Sequence, residues 1–352
     1  MRLSSTSARR GALAAGALAA LALSLAHAAG AQSFRQGTPE QHLPPRITQL
    51  TGFGERAVWS PDGTRIAFMS KSFGDAFEID VKSRITRLLT GHFRHAGFLR
   101  VHYLPNGDYF LIGARDFKDI RTTRDRDQEM WVMRAGAKSP PVALGHKISE
   151  GVAISRKRMR IAWANTRGQY PDSLAEGESV IYTADVVYDS AGTPKLANRR
   201  ELIRAKRPEC TLEAQDFRRD DAELVYVCYR VGDKADVFGL DLATGKSTTY
   251  RKIEEEYNEV EGVAPDGSFA LVESSREQGG AERQTSRYID IWKLALPPSA
   301  PSFVRMTRWG DWDGFKASNP TVSPDGRWFA FQSARSVDPA GVGYGIFLYR
   351  LR

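Results

Sequence analysis

One hairpin pattern is written six times in this chain, and no other feature limits the fold as tightly. The copies are AVWSPDGTRIAFM (57–69), VHYLPNGDYFLIG (101–113), VAISRKRMRIAWA (152–164), QDFRRDDAELVYV (215–227), EGVAPDGSFALVE (261–273) and PTVSPDGRWFAFQ (320–332). Each has an apolar residue two places before the proline position: Trp59, Tyr103, Ile154, Phe217, Val263 and Val322. After the turn, pairs such as Ile66 and Phe68, or Ile161 and Trp163, alternate with other residues at period two, which is strand behaviour. Pro at the second position, Asp at the third and Gly at the fourth are what a tight turn requires. Ser60 with Asp62, and Ser323 with Asp325, therefore read as turn chemistry rather than as catalytic groups.

Two more strand-like runs follow each hairpin, as in AFEIDV (76–81) and ITRLLT (85–90). Four antiparallel strands repeated six times predict an all-β fold, a six-bladed β-propeller. The last unit is one strand short, and RITQLT (46–51) resembles RITRLLT (84–90), the fourth strand of the first unit. The N-terminal strand is expected to complete the last blade and hide the open edges. The propeller then occupies 46–352, preceded by an extended lead-in over 32–45.

Residues 1–31 read as a secretory signal peptide. Arg2, Arg9 and Arg10 precede an uncharged Ala/Leu run, and AHA or AGA offers a small-residue cleavage site. The apolar run is shorter than the roughly 20 residues needed to span a bilayer. The mature protein is expected in the periplasm, as a monomer without a membrane span. Removing the three signal arginines takes the net charge from +8 to +5, spread without a basic run, which excludes a nucleic-acid partner. Export permits a disulfide, and Cys210 and Cys228 are the two cysteines available. An unbroken hairpin register puts Cys228 opposite Glu213, three residues from Cys210, and leaves both the bonded and the free forms open.

The repeats resemble those of the TolB-type propellers, whose blades carry a motif like xWSPDGxxIAF. WSPDGTRIAF (59–68) matches throughout, VSPDGRWFAF (322–331) nearly so and VAPDGSFALV (263–272) well. The resemblance covers about 46–352 and implies a periplasmic binding or scaffold role, with a protein or cell-envelope component as partner. The α/β domain that precedes the propeller in TolB-type proteins is expected to be missing here.

Long insertions fall on the face opposite the SPDG turns, and long loops on a rigid scaffold are where binding resides. On that face, Glu55, Glu150, Glu213 and Glu259 stand six residues before the proline position, and the column seventeen residues further on holds Arg167, Arg230, Arg276 and Arg335. Three blades have both, since Ser72 follows Glu55 and Ser318 precedes Arg335. In an unbroken register each Glu and Arg lie diagonally on one side of the sheet. They are expected either as structural ion pairs or as a charged rim that binds a ligand. Trp309 and Trp312, in WGDWDGF, suit stacking on a sugar or a peptide side chain.

No cofactor is implied, and no GxSxG elbow or phosphate-binding loop occurs. His92, His95 and His102 are weak candidates for metal ligands. They keep open a second reading, a metal-dependent polysaccharide-degrading enzyme resembling oligogalacturonate lyase, with the rim arginines on uronate carboxylates. The main expectation remains a noncatalytic binding propeller.

Overall fold

The computed structural model describes residues 34–339 and 341–352, so the signal-peptide expectation over 1–31 lies outside the described residues. Six four-stranded antiparallel sheets account for the strands of the unit Gln36–Arg352. Five are consecutive in sequence. The sixth takes Ile47–Gln49 as its outer strand against Ile346–Arg350, with Ile47 opposite Tyr349 and Gln49 opposite Phe347. The ring is closed by its N-terminal strand, as the repeat predicts. Ahead of it, the lead-in carries one turn of 3-10 helix at Pro39–His42.

The alternating apolar residues of each blade meet those of the next, giving six hydrophobic clusters, one per blade junction. At the closing junction, Ile66 and Phe68 of blade one pack with Ala330, Ile346 and Leu348 of blade six. Between blades five and six, Leu271 and Ile291 meet Phe329, Phe331 and Phe347. Each such large side chain contributes about 1.5–3 kcal/mol on burial, so the ring is held by side-chain packing between sheets that share no ladder of hydrogen bonds.

The SPDG segments are turns. The Ser60 hydroxyl donates to Asp62 Oδ1 at 2.5 Å, the amide of Thr64 donates to the same oxygen at 3.0 Å, and Gly63 has φ of +71°. Ser323, Asp325 and Gly326 repeat the arrangement. Blade four lacks these residues and turns through Arg219, Asp220 and Asp221, all at positive φ.

The register departs from expectation in five blades. The innermost strand carries a β-bulge between Glu55 and Val58, Phe98 and Arg100, Ala214 and Asp216, Val260 and Gly262, and Ser318 and Thr321. Each bulge inserts unpaired chain into one strand and re-aims the residues beyond it. Glu213 therefore faces Val227, and Cys228 faces Leu212. This brings Cys228 one residue nearer to Cys210, and the two are joined as a disulfide with Cα atoms 5.1 Å apart.

Candidate functional site

The six innermost strands surround a channel that opens on the long-loop face as a cavity of about 860 Å³. The bulges decide what fills it. Polar residues alternate on these strands within otherwise buried runs, so that Arg100 and His102 in FLRVHY, and Glu259 and Glu261 in NEVEGV, point to the axis. The absence of a side chain at Gly151 lets Glu213 approach, since a Cβ there would stand 2.4 Å from Glu213 Cγ.

The cavity has two walls of opposite character. On one, the Glu150 carboxylate gathers three guanidinium groups: Arg100 Nη2 at 3.1 Å, and in shorter contacts Arg56 Nη1 and Arg124 Nη2. Arg124 comes from the insertion between the second and third strands of blade two, where the segment Ile120–Asp127 coils into a short helical turn, and its side chain remains 40% exposed. Burial opposes ionisation of Glu150. Arg124, Arg56 and Arg100 outweigh it, and the carboxyl is held well below the usual range.

The other wall has too many carboxyl groups for its cations. Glu213, Glu259, Glu261 and Glu273 share it with Lys316, while Arg100 Nη1 lies 3.9 Å from Glu261 Oε2. Burial and mutual repulsion push Glu213 and Glu273 well above the usual range and Glu261 up to about 7. Burial raises Glu259 too, against hydrogen bonds donated by the Tyr229 and Tyr257 hydroxyls. Lys316 is pushed down by burial and drawn back up by Glu273.

Of the rim residues expected from sequence, Glu55, Glu150, Glu213, Glu259, Arg167 and Arg335 line this cavity together. The diagonal Glu–Arg pairing does not form among the described residues. In blades four and five the bulge leaves Arg230 and Arg276 three places beyond the cross-strand partners of Glu213 and Glu259, on the other side of the pleat, and in blade three Glu150 is taken by Arg56, Arg100 and Arg124. Arg230 instead binds Asp236 at 2.7 Å, Arg276 meets Glu256 at 3.5 Å, Arg167 meets Glu176 at 3.4 Å, and Arg335 lies 3.4 Å over the Phe315 ring. Arg230 and Arg276 are not among the lining residues.

Trp309 and Trp312 correct a second expectation. They are 2% and 3% exposed and belong to the core between blades five and six, where Trp309 sits edge-on to Phe331 and Phe347. Their faces are already covered by protein and offer no stacking surface. The sequence reading missed Arg56, Arg100, Arg124, Glu261, Glu273 and Lys316. Charged residues alternating inside buried strands were the available signal for Arg100 and Glu261, and none existed for loop-borne Arg124.

The three histidines do not come together as a ligand set. His95 Nε2 lies 3.0 Å from Asp75 Oδ1, His92 packs on Phe93, and His102 stands on the channel wall. Among the described residues, the one set of three potential ligand groups close enough to share an ion is Glu259, Glu261 and Glu273, with oxygens within 4.8 Å of one another. An imidazole-held metal does not fit this arrangement. No helix among the described residues is long and apolar enough to cross a membrane.

No protein-family model matches the chain, and no curated protein matches it. Solved structures are similar at low identity. A gluconolactonase from Xanthomonas campestris superposes with a TM-score of 0.54 at 9% identity, over 87% of this chain and 89% of its own. An oligogalacturonate lyase in complex with manganese gives 0.51 at 14% identity, over 87% and 80%. TolB from Acinetobacter baumannii gives 0.46 at 17% identity, over 84% of this chain, which spans 63% of that protein's length. At 9% and 14% identity the first two likenesses are of fold alone.

Proposed function

We propose that the protein is an exported, noncatalytic propeller that binds a protein or cell-envelope component through the mouth of its channel on the long-loop face. The observation that carries this reading is the cavity of about 860 Å³, whose buried charged groups are contributed by all six blades and by the insertions. A rigid ring presenting a concave, polar site ringed by loops suits recognition of a partner that inserts a segment into it. The bipolar walls offer arginines to anionic groups and carboxylates to cationic ones.

The chemistry of a hydrolase or lyase has less support. The buried carboxyl groups are engaged by Tyr229, Tyr257, Asn319 and the arginines, and the imidazoles are dispersed. Photoreactive residues placed at Arg167 and Arg335 of the exported protein test the proposal. Adducts with one envelope component at both positions are expected, and absence of any adduct at either would overturn it.

A further inference from the structure

The channel does not end at the arginine belt. Beyond Arg56, Arg100 and Glu261 it reopens on the turn face as a second chamber of about 360 Å³, at the lower end of the roughly 300–1,000 Å³ usual for small-molecule sites. Its character is different from that of the first. Val58, Trp59, Ile154, Val322 and the turn prolines Pro61 and Pro324 supply apolar walls. Trp59 is fixed in place by donating from Nε1 to the carbonyl of Thr321 at 3.2 Å.

Three of the lining residues carry buried polar atoms without partners. Among the described residues, Arg56 Nε, Arg100 Nε and His102 Nε2 are buried and have no hydrogen-bond partner. Arg56 Nε has the Glu55 carboxylate at 3.5 Å as an ion pair only. All three residues line the chamber, and the two arginines are each 8% exposed. Buried donors left unmade are costly, and each such group in a folded protein calls for an acceptor.

The charge around the chamber favours an anion. Arg56, Arg100, Arg156 and Lys157 line it against Asp216 and Glu261. Asp216 and Arg156 pair at 2.7 Å and Lys157 pairs with Asp220 at 2.5 Å. The surplus positive charge therefore lies on Arg56 and Arg100, which share the one Glu150 carboxylate with Arg124, while Glu261 is pushed up to about 7 by burial. Burial and the two arginines hold His102 down to about 3, so its imidazole is neutral and has one N–H to offer. A carboxylate has two oxygens to accept from such donors. A small polar anion would leave the apolar walls wet, and an uncharged hydrocarbon would leave the donors unmatched.

We propose that the turn-face chamber binds an amphipathic monocarboxylate, a short fatty or aryl-alkyl acid, with its carboxylate against Arg56, Arg100 and His102 and its apolar body between Val58, Trp59, Ile154 and Val322. This site lies on the face opposite the channel mouth and does not depend on what binds there.

Titration calorimetry of the mature protein with octanoate, and separately with octanol, tests the assignment, with Trp59-weighted fluorescence as a second readout. Saturable one-site binding of octanoate is expected, with octanol at least tenfold weaker. His102→Leu should weaken octanoate several-fold, and Ile154→Trp should fill the chamber and abolish binding without lowering the melting temperature. Val322→Phe serves the same purpose if Ile154→Trp fails to fold. No saturable octanoate binding, equal affinity for octanoate and octanol, or binding that survives filling of the chamber would each overturn it.

Discussion

Arg100 of blade two and Glu150, at the entry to blade three, meet at 3.1 Å in the channel, and Arg56 of blade one closes on the same carboxylate. One buried anion thus ties three adjacent blades together through their innermost segments. A buried pair is weak evidence of net stabilisation, but removing one partner strands the other's charge. Glu150→Gln leaves Arg56, Arg100 and Arg124 without their shared counter-ion. The expected loss is about 3–5 kcal/mol in urea unfolding, and an unchanged midpoint would show that water or other acids replace Glu150.

The opposite wall predicts a pH effect of the reverse sign from ordinary carboxylate pairs. The folded pKa of Glu261 is raised to about 7 from 4.5, so the folded state holds a proton that the unfolded chain releases first. Stability from this group is complete below the unfolded value and is lost as pH rises through the folded one. The melting temperature should fall between pH about 4.5 and 7, and Glu261→Gln should flatten that slope. A slope identical in the variant would remove Glu261 as its source.

Closure by the N-terminal strand rests on a ladder of three residue pairs and on Ile47 and Leu50, which are 6% and 7% exposed. Deleting residues 46–51 opens an edge on blade six and uncovers Leu348 and Phe347. A large drop in melting temperature with increased aggregation is expected. A deletion variant that melts like the intact chain would contradict closure.

The Cys210–Cys228 bond spans 18 residues, a loop for which chain entropy gives about 3 kcal/mol. Intact-mass measurement without reductant should find no free thiol, and reduction should lower the unfolding midpoint. Two alkylatable thiols in the unreduced protein would reject the bond.

The fold was legible because the turn chemistry and the period-two pattern recur in each blade, so that a weak copy such as Ser155-Arg156-Lys157-Arg158 is placed by its neighbours. Closure followed from the likeness of 46–51 to 84–90. The site was legible only in part. The Glu column was found because it repeats, but its pairing with the Arg column failed, on the bulges in blades four and five and on the capture of Glu150 by other arginines in blade three. A bulge has no fixed residue signature, and one extra residue turns every later side chain to the other face. The disulfide, left open by the unbroken register, is settled by the same shift. Trp309 and Trp312 look like a surface motif in WGDWDGF, yet Trp309 packs on Phe331 and Phe347 of the next blade and Trp312 stacks on His42 of the lead-in, which local sequence does not report.

The central claim, that the protein or envelope partner binds at the long-loop mouth, is tested most directly by comparing photocrosslinking at Arg335 with crosslinking at Gly63 on the turn face, in protein with and without Glu259→Lys. The account predicts one envelope adduct at Arg335, none of the same component at Gly63, and at least tenfold less adduct once Glu259 carries the reversed charge. The same adduct at Gly63, or an Arg335 adduct indifferent to Glu259→Lys, would contradict it.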